Sequence, residues 1–133
     1  MRKFLYRSDT TLPAPILTLL VGSPFSIRRV PVKFRLDTGA DITVIPWRYA
    51  EIVNLAPKGK IEVTDYDSNA VTHESFTANL FLGRFAFEGI EVITSVSNSA
   101  LLALDVLNEL NINLNGPQRT LSILSAPKRS ARR

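Results

Sequence analysis

The sequence predicts an all-β domain, a small closed barrel with one or two short helices. Three observations predict it. Residues 30–36 alternate strictly, with Val32, Phe34 and Leu36 on one face and Lys33 and Arg35 on the other, the period-two signature of a half-buried strand. Elsewhere, short apolar or β-branched runs are separated by Gly, Pro and Asn turn residues. Helical character is confined to two brief stretches, residues 47–55 and the segment that opens at Asp105.

Taken in order, residues 16–21 form an apolar run closed by Gly22-Ser23-Pro24, which suits a buried strand and its turn. The alternating strand 30–36 follows and runs directly into Asp37-Thr38-Gly39. Residues 42–45 are β-branched and bounded by Pro46, so they read as a short strand, and one helical turn fits before Pro57. Two strands over 61–64 and 71–76 flank the polar centre Asp65-Tyr66-Asp67-Ser68-Asn69-Ala70, whose residues suit a hairpin tip. Strands over 77–82 and 85–94 come next, punctuated at Gly83-Arg84 and Glu88-Gly89 as turn or bulge positions. Asp105 precedes Val106, Leu107 and Leu110 and reads as an N-cap carboxylate. Strands over 111–115 and 120–124, joined at Gly116-Pro117, end the pattern.

With 133 residues the chain accommodates one domain, expected over 13–125, and is too short for two complete lobes. Cysteine is absent and His73 is the single histidine, which removes disulfide, thiolate and zinc-cluster chemistry; neither a metal nor a cofactor is expected. The net charge of +4 is uneven: residues 126–133 carry +4 and residues 1–12 carry +2, leaving 13–125 at −2. A nucleic-acid domain concentrates its basic excess on the folded surface. Residues 126–133 therefore read as a disordered basic tail, and nucleic acid is not an expected partner. Arg7-Ser8-Asp9 interrupts the apolar core a signal peptide would need, and no apolar run approaches the ~20 residues of a membrane span. The expectation is a cytoplasmic protein with no membrane partner.

The chemistry-bearing stretch is Phe34-Arg35-Leu36-Asp37-Thr38-Gly39-Ala40-Asp41-Ile42-Thr43-Val44-Ile45-Pro46, a carboxylate at the end of an apolar strand followed by a hydroxyl residue and a glycine. Taken alone, Asp-Thr-Gly also fits a plain turn in which Asp caps, Thr bonds locally and Gly adopts positive φ. In context the sequence resembles the retropepsin-like aspartic proteases, single-domain relatives of retroviral proteases. The resemblance includes the hairpin over 61–76 at the family's flap position, the stretch Ala100-Leu101-Leu102-Ala103-Leu104-Asp105-Val106-Leu107, and the closing Leu110-Asn111-Ile112-Asn113-Leu114 and Thr120-Leu121-Ser122-Ile123.

The resemblance implies one lobe per chain, Asp37 as the catalytic carboxylate, and Thr38, Gly39, Ala40 and Asp41 as its loop. Ala103, Leu104 and Asp105 would form a second loop beneath it, and Tyr66, Asp67, Ser68 and Asn69 the flap tip over the substrate. The activity implied is aspartic endopeptidase action on peptide or protein substrates, through a water activated between two carboxyls. Asp-Thr-Gly occurs once, so the second carboxyl would be Asp37 of another copy, making a homodimer part of the mechanism. Residues 1–12 and 121–124 are the candidate dimer strands, with residues 1–12 alternatively a removable pro-segment. Two departures stand out: Leu104 and Ala103 replace the family's frequent Arg and its Gly, and the hairpin tip holds no glycine. These departures favour the alternative, a binding or assembly module of the same fold with little hydrolysis.

Overall fold

The computed structural model describes residues 2–6, 12–64 and 67–125. Ten strands and two short helices follow one another: β1 (Arg2–Leu5), β2 (Ile16–Gly22), β3 (Arg29–Leu36), β4 (Val44–Pro46), α1 (Trp47–Ile52), β5 (Ala56–Thr64), β6 (Ala70–Leu82), β7 (Phe85–Ser95), β8 (Leu101–Leu102), α2 (Leu104–Leu107), β9 (Asn111–Asn115) and β10 (Thr120–Ser125).

Seven strands form one sheet in the order β2-β3-β8-β4-β7-β6-β5, and an added β2–β6 pairing closes it into a barrel. Closure is possible because one edge of β6 serves two partners in series. Residues 70–77 pair with β5, and residues 79–81 pair with β2. The remaining strands form a three-stranded sheet, β1-β10-β9, in which Arg2–Leu5 pairs antiparallel with β10 of the same chain. Leu121 and Ile123 of β10 are buried in the main core and join the two sheets.

The alternation read in the sequence is the packing pattern. Val32 and Phe34 are fully buried beside Leu17, Leu19, Leu80 and Ile90, while Lys33 and Arg35 face solvent. Burial of such side chains contributes ~1.5–3 kcal/mol each. Several boundaries differ from the sequence reading. The strand expected over 42–45 occupies 44–46, because Ile42 and Thr43 are drawn into the loop after Asp37. The two strands expected over 71–76 and 77–82 are one continuous strand, with Phe76, Ala78, Leu80 and Leu82 all buried along it. Strand β8 leaves no periodic signal in the sequence, because two residues are too few to carry one.

Gly89 has φ +68 and its N–H donates to Asn79 Oδ1 at 2.9 Å, which fixes the bulge that shifts the β6–β7 register. Among the described residues no helix is long and apolar enough to cross a membrane. The expected tail, residues 126–133, and most of the arm beyond Tyr6 lie outside the described residues.

Candidate active site

Strand β3 delivers Asp37 to the barrel's end, and the backbone on either side is anchored by β8 and its continuation. Arg35 N–H donates to Ala100 O at 2.9 Å, Asp37 N–H to Leu102 O at 2.9 Å, and Leu104 N–H to Ala40 O at 3.0 Å. These bonds bring the two loops that the sequence singled out, 37–41 and 103–105, into direct contact.

Asp37 is half-buried, and its Oδ1 accepts the Gly39 N–H at 2.9 Å. A further bond, Ala40 N–H to Asp37 O at 3.3 Å, closes the turn. Gly39 is not in the left-handed region, so the plain-turn reading with positive φ at this glycine does not hold. Its role is spatial: a Cβ built there would stand 3.2 Å from Asp37 Oδ1. Thr38 and Asp41 are exposed, and among the described residues the Thr38 hydroxyl has no hydrogen-bond partner.

The strongest polar anchor is one that sequence reading missed. Thr43 is fully buried; its Oγ1 donates to Asp105 Oδ1 at 2.7 Å and accepts the Ala103 N–H at 3.2 Å, while its N–H donates to Asp105 Oδ2 at 3.1 Å. Two loops 62 residues apart in sequence are thus stapled beneath Asp37. Asp105 is therefore not the N-cap. Ala103 holds that position without a side-chain bond, and Asp105 sits within the first turn with its carboxylate turned toward Thr43 and the Val106 N–H. The competing partner, a buried hydroxyl from a distant loop, outweighs local capping. Ala103 is buried with φ −100 and ψ −176, an extended geometry open to any residue, so replacing the family's glycine costs no backbone strain. Leu104 is half-buried and offers Asp41 no charge.

The flap-position hairpin is built differently. Strand β6 pairs with β7 only from Ser75 onward, so the five rungs from Lys60↔Glu74 to Thr64↔Ala70 pair only with one another. At ~3.4 Å per residue they project ~17 Å beyond the sheet. The hairpin base joins the rung that leads to Asp37: Ser75 pairs with Ile93, Ile93 with Val44, Val44 with Leu101, and Leu101 with Arg35. Ser75 is fully buried and donates to Glu91 Oε2 at 2.6 Å, locking the hinge end. At the tip, Ser68 takes φ +61, a conformation usually left to glycine. Asp67, Ser68 and Asn69 are exposed, while Asp65 and Tyr66 lie outside the described residues. Among the described residues no cluster of metal-ligating side chains occurs.

No protein-family model and no curated protein matches the sequence. Solved structures do. A retropepsin-like aspartic protease from Rickettsia conorii superimposes with a TM-score of 0.62 at 15% identity, covering 92% of this chain and 88% of that one. The EIAV protease, solved in complex with the inhibitor HBY-793, gives a TM-score of 0.57 at 16% identity over 79% of this chain and 92% of its own. A closed all-β barrel with one Asp-Thr-Gly loop at its end and a projecting hairpin, similar over 92% and 79% of its length to these two structures, has the retropepsin-like fold.

Proposed function

We propose that this chain is one half of a homodimeric aspartic endopeptidase, with Asp37 from each copy forming the catalytic pair. The observation that carries the reading is the state of the 37–39 loop. A carboxylate is held by the Gly39 N–H at the end of a core strand, and the neighbouring Thr38 hydroxyl is exposed without a partner among the described residues. Across a two-fold axis the Thr38 hydroxyls would bond the opposite loops and set the spacing of the two Asp37 carboxyls.

Such a pair shares one proton, because two like charges so close cannot both ionise. The ionised carboxyl removes a proton from the attacking water, and the protonated one donates toward the scissile carbonyl oxygen. The projecting hairpin, with Asp67, Ser68 and Asn69 at its tip, would close over an extended peptide and exclude water. Residues 103–105 would support the Asp37 loop from below. Strand β1 is an edge strand of its sheet, so its free side is the edge open to a second copy.

A second reading, a retropepsin-fold binding or assembly module, is favoured by the tip, where Ser68 stands at a position that free hinge motion would give to glycine, and by Leu104, which offers Asp41 no charge. Hydrolysis of a mixed peptide library between about pH 4 and 7, at concentrations bracketing dimerisation, separates the two. The protease reading expects cleavage that rises with dimer and vanishes in Asp37→Asn. A verified wild-type dimer that cleaves nothing supports the binding module. Thr38→Ala is expected to weaken the dimer, which sedimentation would register. Removal of the arm as a pro-segment would appear as a fall in intact mass on incubation, and a constant mass would exclude it.

A further inference from the structure

At the opposite end of β3 from Asp37, the β2–β3 hairpin carries a feature that neither catalysis nor packing uses. Its tip, Ser23-Pro24-Phe25-Ser26-Ile27-Arg28, presents two large apolar side chains to solvent: Phe25 is 81% exposed and Ile27 97%. The tip is held in shape. Phe25 N–H donates to Ser23 Oγ at 3.2 Å, Arg28 N–H to Ser26 Oγ at 3.1 Å, and Ser26 N–H to Ser23 O at 3.3 Å. Gly22 permits the close approach at the base, where a Cβ would stand 3.0 Å from Arg28 O. A built turn that exposes Phe and Ile exacts a solvation cost without a return inside the chain.

Charge gives the second observation. Residues 12–36 contain Arg28, Arg29, Lys33 and Arg35 and no acidic residue, although the body as a whole is net acidic. All four cations are exposed, and along β3 Arg29, Lys33 and Arg35 lie on the outward face. Arg29 is stacked 3.6 Å over the Phe81 ring, which fixes its position on the barrel wall. Beside the tip, Phe25 lines one side of a cleft of ≈ 370 Å³ together with Ser23, Ser26, Arg28 and Asn54, and Ile52, also partly exposed, adds to its apolar lining.

We propose that this hairpin docks the protein peripherally on a lipid bilayer with anionic headgroups, Phe25 and Ile27 entering the interface while Arg28, Arg29, Lys33 and Arg35 meet the headgroup charge. Apolar tips flanked by cations are the two-signal arrangement that interfacial binding requires. Nucleic acid is the poorer fit, because Ile27 offers no stacking face and gains nothing from phosphates. A protein partner is also less suited, since two side chains on a convex tip fall well short of the ~1,200 Å² of a stable interface. The proposal departs from the sequence-based expectation of no membrane partner, which rested on the lack of a spanning segment and did not bear on peripheral contact.

Co-sedimentation of the full chain with mixed phosphatidylcholine–phosphatidylserine vesicles, compared with pure phosphatidylcholine vesicles, tests the proposal. Wild type is expected to pellet with the mixed vesicles in a salt-sensitive manner. Phe25→Ser combined with Ile27→Ser should lower affinity about tenfold or more, and Arg28→Glu about fivefold or more. These sites are exposed, so an unchanged thermal midpoint is the folding control, and the basic tail is present in every variant. As a direct readout, Phe25→Trp should show fluorescence quenched by bromolipid vesicles. Equal pelleting of wild type and the double variant, indifference to phosphatidylserine, or heparin binding that replaces vesicle binding would each overturn the proposal, the last in favour of a polyanion site.

Discussion

The Asp37 loop and the 60–74 hairpin belong to the same sheet yet are held by opposite means. The loop is tied on three sides: by Leu102 and Leu104 through backbone bonds, by its own Gly39 N–H at the carboxylate, and by the buried Thr43–Asp105 staple. Among the described residues, the hairpin strands beyond Ser75 pair with each other and with no other strand. A site meant to fix a reacting group needs the first arrangement, and a cover meant to open needs the second. The difference locates rigidity and motion before any substrate is considered.

Hydrogen exchange offers the largest expected contrast. Amides of Val32 and Phe34 should open only with global unfolding, whereas those of residues 61–63 and 71–73 should open at several kcal/mol less, a gap of about 5 kcal/mol or more. Equal protection would erase the comparison. Next in size is Phe34→Ala, which empties the wall behind Asp37 and should cost ~3–5 kcal/mol in chemical denaturation. Thr43→Val keeps the shape and the backbone bond to Asp105 Oδ2 but removes the two hydroxyl bonds, leaving Asp105 Oδ1 and the Ala103 N–H each short of a partner, and should cost ~1–3 kcal/mol. The peptidase activity proposed for the site should fall as well. Smallest is Ser68→Gly at the hairpin tip. Relief at φ +61 and the added freedom of the unfolded chain offset each other to within about 0.5 kcal/mol, so stability should hardly move. A large loss there would mean that Ser68 is packed in a role its exposure conceals.

Much of this was legible in the sequence because it depends on local pattern. The alternation of Val32, Phe34 and Leu36 marks β3 and the point where Asp37 emerges, and the polar run 65–70 between β-branched segments marks the hairpin. What stayed hidden depends on partners distant along the chain. Thr43 looks like any β-branched strand residue until Asp105, 62 positions away, is placed against it. The same ignorance made Asp105 read as a helix cap, which is what its local sequence allows. Strand β8 owes its existence to Arg35 and Val44 on either side and not to Leu101 and Leu102 themselves. Phe25 and Ile27 are silent in the sequence for a related reason: apolar residues suggest burial, and only the fold shows them left in solvent.

The most direct test of the paired-carboxylate account is subunit mixing. Wild-type chains are equilibrated with increasing proportions of Asp37→Asn chains at fixed total concentration, and peptidase activity is followed. If both carboxyls of a dimer are needed, activity falls with the square of the wild-type fraction. A linear fall would show that each chain works with its own Asp37 alone and would contradict the shared site.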